Sequence, residues 1–158
     1  MYASSVRVLG VDYGRRRIGL ALSDASAAIA RPWQTVPASG SPRTSATAVA
    51  ALVSAMGEGD LGDPIDRIVV GLPRRLSGED NEQTAAARQF ASALAGATGL
   101  PIELQDERLS SHAAEQALAV DERDWRKRKA KLDAAAAAVI LQDYLDQLAR
   151  RPHKPAVS

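Results

Sequence analysis

The run 65–72 centres on Ile68-Val69-Val70, three apolar residues with no polar alternation between them. Successive side chains of a strand point to opposite faces, so a strand wetted on one face alternates apolar and polar residues. An unbroken apolar run predicts a strand covered on both faces, as in parallel sheets flanked by helices. Pro73 closes the run.

The rest of the chain provides the other layers. Residues 6–11 read as a short apolar strand ending at Asp12-Tyr13-Gly14, and residues 18–22 are apolar again after three arginines. The pair is a hairpin with Gly14 in its turn. Residues 32–36 give a third, short strand at or near an edge, with Trp33 packing on the core. Ser41-Pro42 has the form of an N-cap followed by proline at the first helical position. A helix follows over 44–56 and Gly57 stops it. A second helix covers 82–97, ended by Gly99. A strand over 101–104 comes next, then a short helix over 113–118. The charged stretch 121–131 reads as an exposed loop or mobile segment. A last helix covers 132–149. A three-strand antiparallel meander followed by alternating helices and strands predicts an α/β fold with a mixed five-stranded sheet flanked by helices.

The chain has 158 residues, which suits one domain over 1–149. A disordered C-terminal tail over 150–158, with two prolines, is the expectation after it. No apolar run reaches the roughly 20 residues that span a bilayer. Residues 1–6 lack the charged and apolar regions of a signal peptide. The expectation is a cytoplasmic protein without a membrane partner.

There is no cysteine, and the two histidines are His112 and His153. Thiolate zinc sites, iron–sulfur clusters and multi-histidine metal sites therefore lack material. A catalytic metal would be held by carboxylates, which favours a hard cation, Mg2+ or Mn2+. The net charge is only +1, but the basic residues cluster. Arg15, Arg16 and Arg17 form one group and Arg74 with Arg75 another. Arg123, Arg126, Lys127, Arg128, Lys129 and Lys131 form a third. Basic clusters on a nearly neutral domain suggest a face for nucleic-acid phosphates. Each cluster alone would be ordinary solvated surface.

Three acids stand out. Asp12 ends a buried strand, which holds a metal ligand more rigidly than a loop does. Asp106-Glu107-Arg108 follows another strand, and alternation lets only one of the two acids face a given site without a bend. Glu107 is expected to face Asp12, with Arg108 orienting a carboxylate or touching phosphate; the rival is Asp106 as ligand and Glu107 paired with Arg108. Ser110 and Ser111 are expected to be helix caps. Asp133 is expected in the first turn of the last helix, where the helix dipole also favours a carboxylate. The alanines after it would let that helix approach the sheet. Asp143 and Asp146 are expected to face solvent. Carboxylates from separate elements can hold two divalent cations about 3.5–4 Å apart, the arrangement that activates water and stabilises charge in phosphodiester hydrolysis.

Taken in order, Asp12-Tyr13-Gly14 with Arg17-Ile18-Gly19, then Val70-Gly71-Leu72-Pro73, Asp106-Glu107-Arg108-Leu109, and Asp133 followed by alanines, resemble the YqgF family, also called RuvX. Each piece is weak alone and the set is specific. The resemblance spans residues 8–145. It implies a ribonuclease H-like fold related to the RuvC resolvases and a divalent-metal nuclease. The activity it implies is maturation of the 5′ end of pre-16S ribosomal RNA, with action on Holliday junctions or other branched DNA. Carried over by position, the catalytic and metal-binding acids are Asp12, Glu107 and Asp133. Ser110 and Ser111 stand where the family commonly has threonines, keeping the hydroxyls. The expected nucleic-acid contacts are Arg15, Arg16, Arg17, Arg74, Arg75, Arg108, Arg126, Arg128 and Lys131. Monomer and homodimer both remain open, since a resolvase acting on a two-fold junction would need two copies.

Two other functions compete. The sugar kinase, actin and chaperone ATPase superfamily shares the core fold and a similar Asp-x-Gly hairpin, but binds ATP between two such domains. A non-catalytic nucleic-acid-binding module in transcription or ribosome assembly is the second, and retention of all three acids argues against it.

Overall fold

A computed structural model describes residues 7–38, 40–56, 64–73, 81–106 and 125–150. In chain order the elements are β1 (Arg7–Tyr13), β2 (Arg17–Ser23), β3 (Ala30–Pro37), α1 (Pro42–Met56), β4 (Ile65–Leu72), α2 (Glu82–Thr98), β5 (Ile102–Asp106) and α3 (Trp125–Arg150). The strands form one sheet in the order β3-β2-β1-β4-β5. β1, β2 and β3 pair antiparallel, while β4 joins β1 and β5 joins β4 in parallel. This is the mixed five-stranded sheet expected from the sequence. β3 is an edge strand, as its two prolines require.

Alternation along β1 sorts the core into two layers. Leu9, Val11 and Tyr13 pack with Val49 and Val53 of α1 and Phe90 and Leu94 of α2. Val8, Ala21 and Val69 pack with Ala137, Ile140, Leu141 and Tyr144 of α3. β4 serves both layers, which is why its stretch from Ile68 to Leu72 is apolar without a break. Full burial of side chains such as Ile140 and Leu141 contributes about 1.5–3 kcal/mol each relative to exposure.

Helix ends follow local chemistry. Ser41 caps α1, its hydroxyl accepting from the Thr44 amide at 3.2 Å. Asn81 and Thr84 form a reciprocal capping box at the start of α2, and Gly99 closes that helix in the left-handed region. The Thr84 hydroxyl also donates to the Pro73 carbonyl, tying α2 to the end of β4. Trp33 packs partly buried against the main core, as expected.

Three differences of boundary bear on the acids. β1 runs to Tyr13 and β5 to Asp106, so Asp12 and Asp106 lie inside paired strands. α3 begins at Trp125, so 125–131, expected as a loop, is helical. That stretch lacks apolar periodicity, but arginine, lysine and alanine are good helix formers. Once the packed segment around Ala134–Leu145 forms a nucleus, extension adds one hydrogen bond per residue. The helix expected over 113–118 lies outside the described residues.

Candidate nuclease site

Asp12 is half-buried and sits in register with Gly19 of β2. By alternation from Val8, it lies on the face covered by α3. On its other side β1 pairs with β4 as far as Val11 and Val70. Asp12 thus has a glycine, Gly19, as its partner on β2.

Gly19 also positions the second acid. A Cβ placed on Gly19 would lie 1.9 Å from the Asp133 carbonyl oxygen. At Gly10 it would lie 2.7 Å from the Leu141 Cβ. α3 thus rests directly on sheet backbone at both glycines, with its own alanines completing the close approach. Asp133 is brought over the residue paired with Asp12, so two acids far apart in the chain share one face.

The surroundings of Asp133 correct one expectation. Because α3 starts at Trp125, Asp133 lies more than two turns inside the helix, beyond the reach of its terminal dipole. Its stabilising partner is Arg17, whose Nε donates to Asp133 Oδ2 at 2.7 Å. Arg17 was expected as a phosphate contact; the pairing with Asp133 carried no signal in the local sequence. Both side chains are about 30% exposed, so the pair is partly screened by water.

An open hollow of about 340 Å³ borders this pair. Gly14, Arg15, Arg16, Arg17, Gln83, Leu132 and Asp133 line it. The hairpin is tight: the Gly14 amide donates to the Arg17 carbonyl at 3.0 Å, and a Cβ on Gly14 would lie 2.6 Å from that oxygen. Glycine is needed there for the hairpin itself. Arg15 and Arg16 at the turn are exposed. Arg15 approaches Glu82 at 3.9 Å, an exposed contact of little energetic weight.

Asp106 lies elsewhere. It pairs with Leu72, and alternation puts it with Ile102 on the face covered by α1 and α2. That is the opposite face from Asp12. Glu107, Arg74, Arg75 and Arg108 lie outside the described residues, as do the side chains of Arg126, Arg128 and Lys131. Among the described residues no group of three acids or histidines gathers. Asp146 is exposed, as expected, whereas Asp143 is half-buried and has a partner.

Two charged clusters lie away from these acids. In the β2–β3 turn Asp24 accepts from the Ser26 hydroxyl at 2.5 Å and from the amides of Ala28 and Ile29. The Ser26 hydroxyl, followed by those amides, lowers its pKa from 3.8 to about 2. On the α3 face, near the start of β4, Arg67 donates to the Tyr144 hydroxyl at 2.8 Å, and Glu103 lies 4.0 Å from Arg67. The Tyr144 hydroxyl raises the Arg67 pKa, while burial and then Glu103 raise that of Tyr144.

Residues 6–147 match the family model described as RuvX: Holliday junction resolvase. The chain belongs to the RuvX family. A resolvase is a nuclease, so membership makes this an enzyme that hydrolyses phosphodiester bonds. The chain is 45% identical over 139 residues to a protein of Chloroflexus aggregans named pre-16S rRNA nuclease, covering 88% of this chain and 92% of that one. An Anaeromyxobacter protein of the same name is 43% identical over 141 residues, 89% and 97% of the two chains. Among solved structures the fold resembles Thermus thermophilus RuvC in complex with Holliday junction substrate. The TM-score is 0.51 at 16% identity, over 92% of this chain and 96% of that one. The yeast mitochondrial Holliday junction resolvase Ydc2 matches with a TM-score of 0.50 at 15% identity, over 94% and 81%. Those two structures bear out the ribonuclease H-like fold expected of a RuvX protein. Among the described residues no helix is long and apolar enough to cross a membrane.

Proposed function

We propose that this RuvX nuclease uses divalent cations, Mg2+ or Mn2+, held by Asp12, Glu107 and Asp133. Its proposed substrate is the 5′ region of pre-16S ribosomal RNA, with branched DNA as a second class. The carrying observation is the placement of Asp12 and Asp133 on one sheet face, with Gly19 paired to the first and beneath the second.

The donor chemistry fits a hard cation. The two acids offer oxygens only, and no thiol exists in the chain. Asp106 lies on the opposite sheet face, which favours Glu107, one residue further along the chain, as the third ligand. Bound divalent cations supply an activated water and neutralise charge on the phosphate oxygens. The chain's own contribution is positional. Paired β1 holds Asp12, α3 resting on Gly19 holds Asp133, and Arg15 and Arg16 bind the phosphates beside the scissile one. The names of the Chloroflexus and Anaeromyxobacter relatives support the ribosomal substrate, and the family description supports the junction. A cytoplasmic location accompanies that role.

The test is cleavage of labelled precursor RNA, duplex RNA and four-way DNA junctions with Mg2+ or Mn2+. Asp12→Asn should abolish cleavage and leave binding largely intact. A mutant that cleaves as well as the parent would sink this assignment. Binding without metal-dependent cleavage of any of the three would favour a non-catalytic module.

A further inference from the structure

Arg17 and Asp133 form a pair whose design differs from that of a structural salt bridge. A bridge built for stability is bidentate or buried, with its remaining donors and acceptors satisfied. Here one nitrogen meets one oxygen at 2.7 Å, and each side chain is about 30% exposed. Among the described residues, no second hydrogen bond fixes either group. Both border the hollow that Arg15 and Arg16 also line. The main chains are by contrast held in place: the Arg17 carbonyl accepts from the Gly14 amide in the hairpin, and Asp133 is seated on Gly19. The side chains can change partners while the backbone stays in place.

We infer that Arg17 is an exchangeable counterion. It holds Asp133 while that acid has no metal, and turns to a nucleic-acid phosphate when a divalent cation takes the carboxylate. This rests on the proposed reading of Asp12 and Asp133 as metal ligands. A guanidinium on Asp133 Oδ2 takes one of the carboxylate's lone-pair positions and repels the cation by its charge. A phosphate arriving in the hollow competes for the same guanidinium. Each ligand therefore removes an obstacle to the other, and linkage makes the coupling reciprocal. Arg17 is a positioning residue here: it favours loading the metal when substrate is present.

Mn2+ binding to the full chain, measured by calorimetry without nucleic acid, tests this directly. Asp12→Asn and Asp133→Asn should each weaken binding. Arg17→Gln should tighten it by about three- to tenfold, the release of a partly exposed ion pair together with relief of like charge. Weaker or unchanged Mn2+ binding in Arg17→Gln overturns the counterion role while leaving the metal site standing. Indifference of Mn2+ binding to both acid substitutions removes the site reading, and this inference with it. A second measurement needs no variant. The NMR signal of the Arg17 Nε–H in the unmodified protein should shift as Mg2+ saturates the site. A signal that stays in place contradicts the exchange.

Discussion

Arg17 of β2 and Asp133 of α3 are 116 residues apart in the chain, and their side chains meet at 2.7 Å. The contact joins the hairpin that carries the first acid to the helix that carries the last. Its energetic weight should be small. In a double-mutant cycle with Arg17→Ala and Asp133→Ala, urea unfolding should give a coupling of about 0.2–1 kcal/mol. A coupling of several kcal/mol would mean the pair behaves as a buried structural bridge.

Gly19→Ala should be far more damaging than its one added methyl suggests. The Cβ would lie 1.9 Å from the Asp133 carbonyl, a backbone atom that moves only if α3 moves. The expected loss is about 1–3 kcal/mol of stability, with cleavage falling because Asp133 is displaced. Gly96→Ala is the control. It sits in α2 with nothing within 4 Å of a built Cβ, and should be neutral or stabilising by up to about 1 kcal/mol. Thermal unfolding of both variants checks the pair, and equal effects would mean α3 does not rest on β2 as described.

Asp24 should make the β2–β3 turn acid-sensitive. Its folded pKa is about 2, against an ordinary value of 3.8. A lowered carboxylate pKa stabilises the fold above the unfolded value, and that contribution disappears as pH falls through the folded one. The stability difference between the parent and Asp24→Ala should therefore be constant above about pH 5, then narrow between about pH 4 and pH 2. Denaturant unfolding across that range checks it, and a difference that widens on acidification would contradict the sign.

Arg15→Ala and Arg16→Ala should weaken nucleic-acid binding to a similar degree across sequences, since both residues line the hollow at the hairpin turn. Each phosphate contact removed should lower the slope of log affinity against log salt by about 1. Fluorescence anisotropy over a salt series reads this. A change confined to one sequence would point to base contacts.

Much of the fold was legible in the chain because its signals are local. The unbroken Ile68-Val69-Val70 run announced a doubly covered strand. Asp12-Tyr13-Gly14 before three arginines announced a hairpin, and Gly99 marked the end of α2. The start of α3 was not legible, since a charged run carries no apolar period even when its residues favour helix. Asp133 was expected in the first turn of its helix; it lies deeper, out of reach of the terminal dipole, and Arg17 is its partner.

The amino-acid sequence by itself determined the order of elements, the absence of thiol chemistry and the candidate acids, because each depends on residue type and short-range spacing. Only the tertiary structure decided which acids share a face. Strand register set Asp12 beside Gly19 and Asp106 on the far side with Leu72. Contact between α3 and bare glycine backbone set Asp133 above Gly19. Register and helix docking are long-range choices, settled by how two apolar layers fill the space on either side of one sheet.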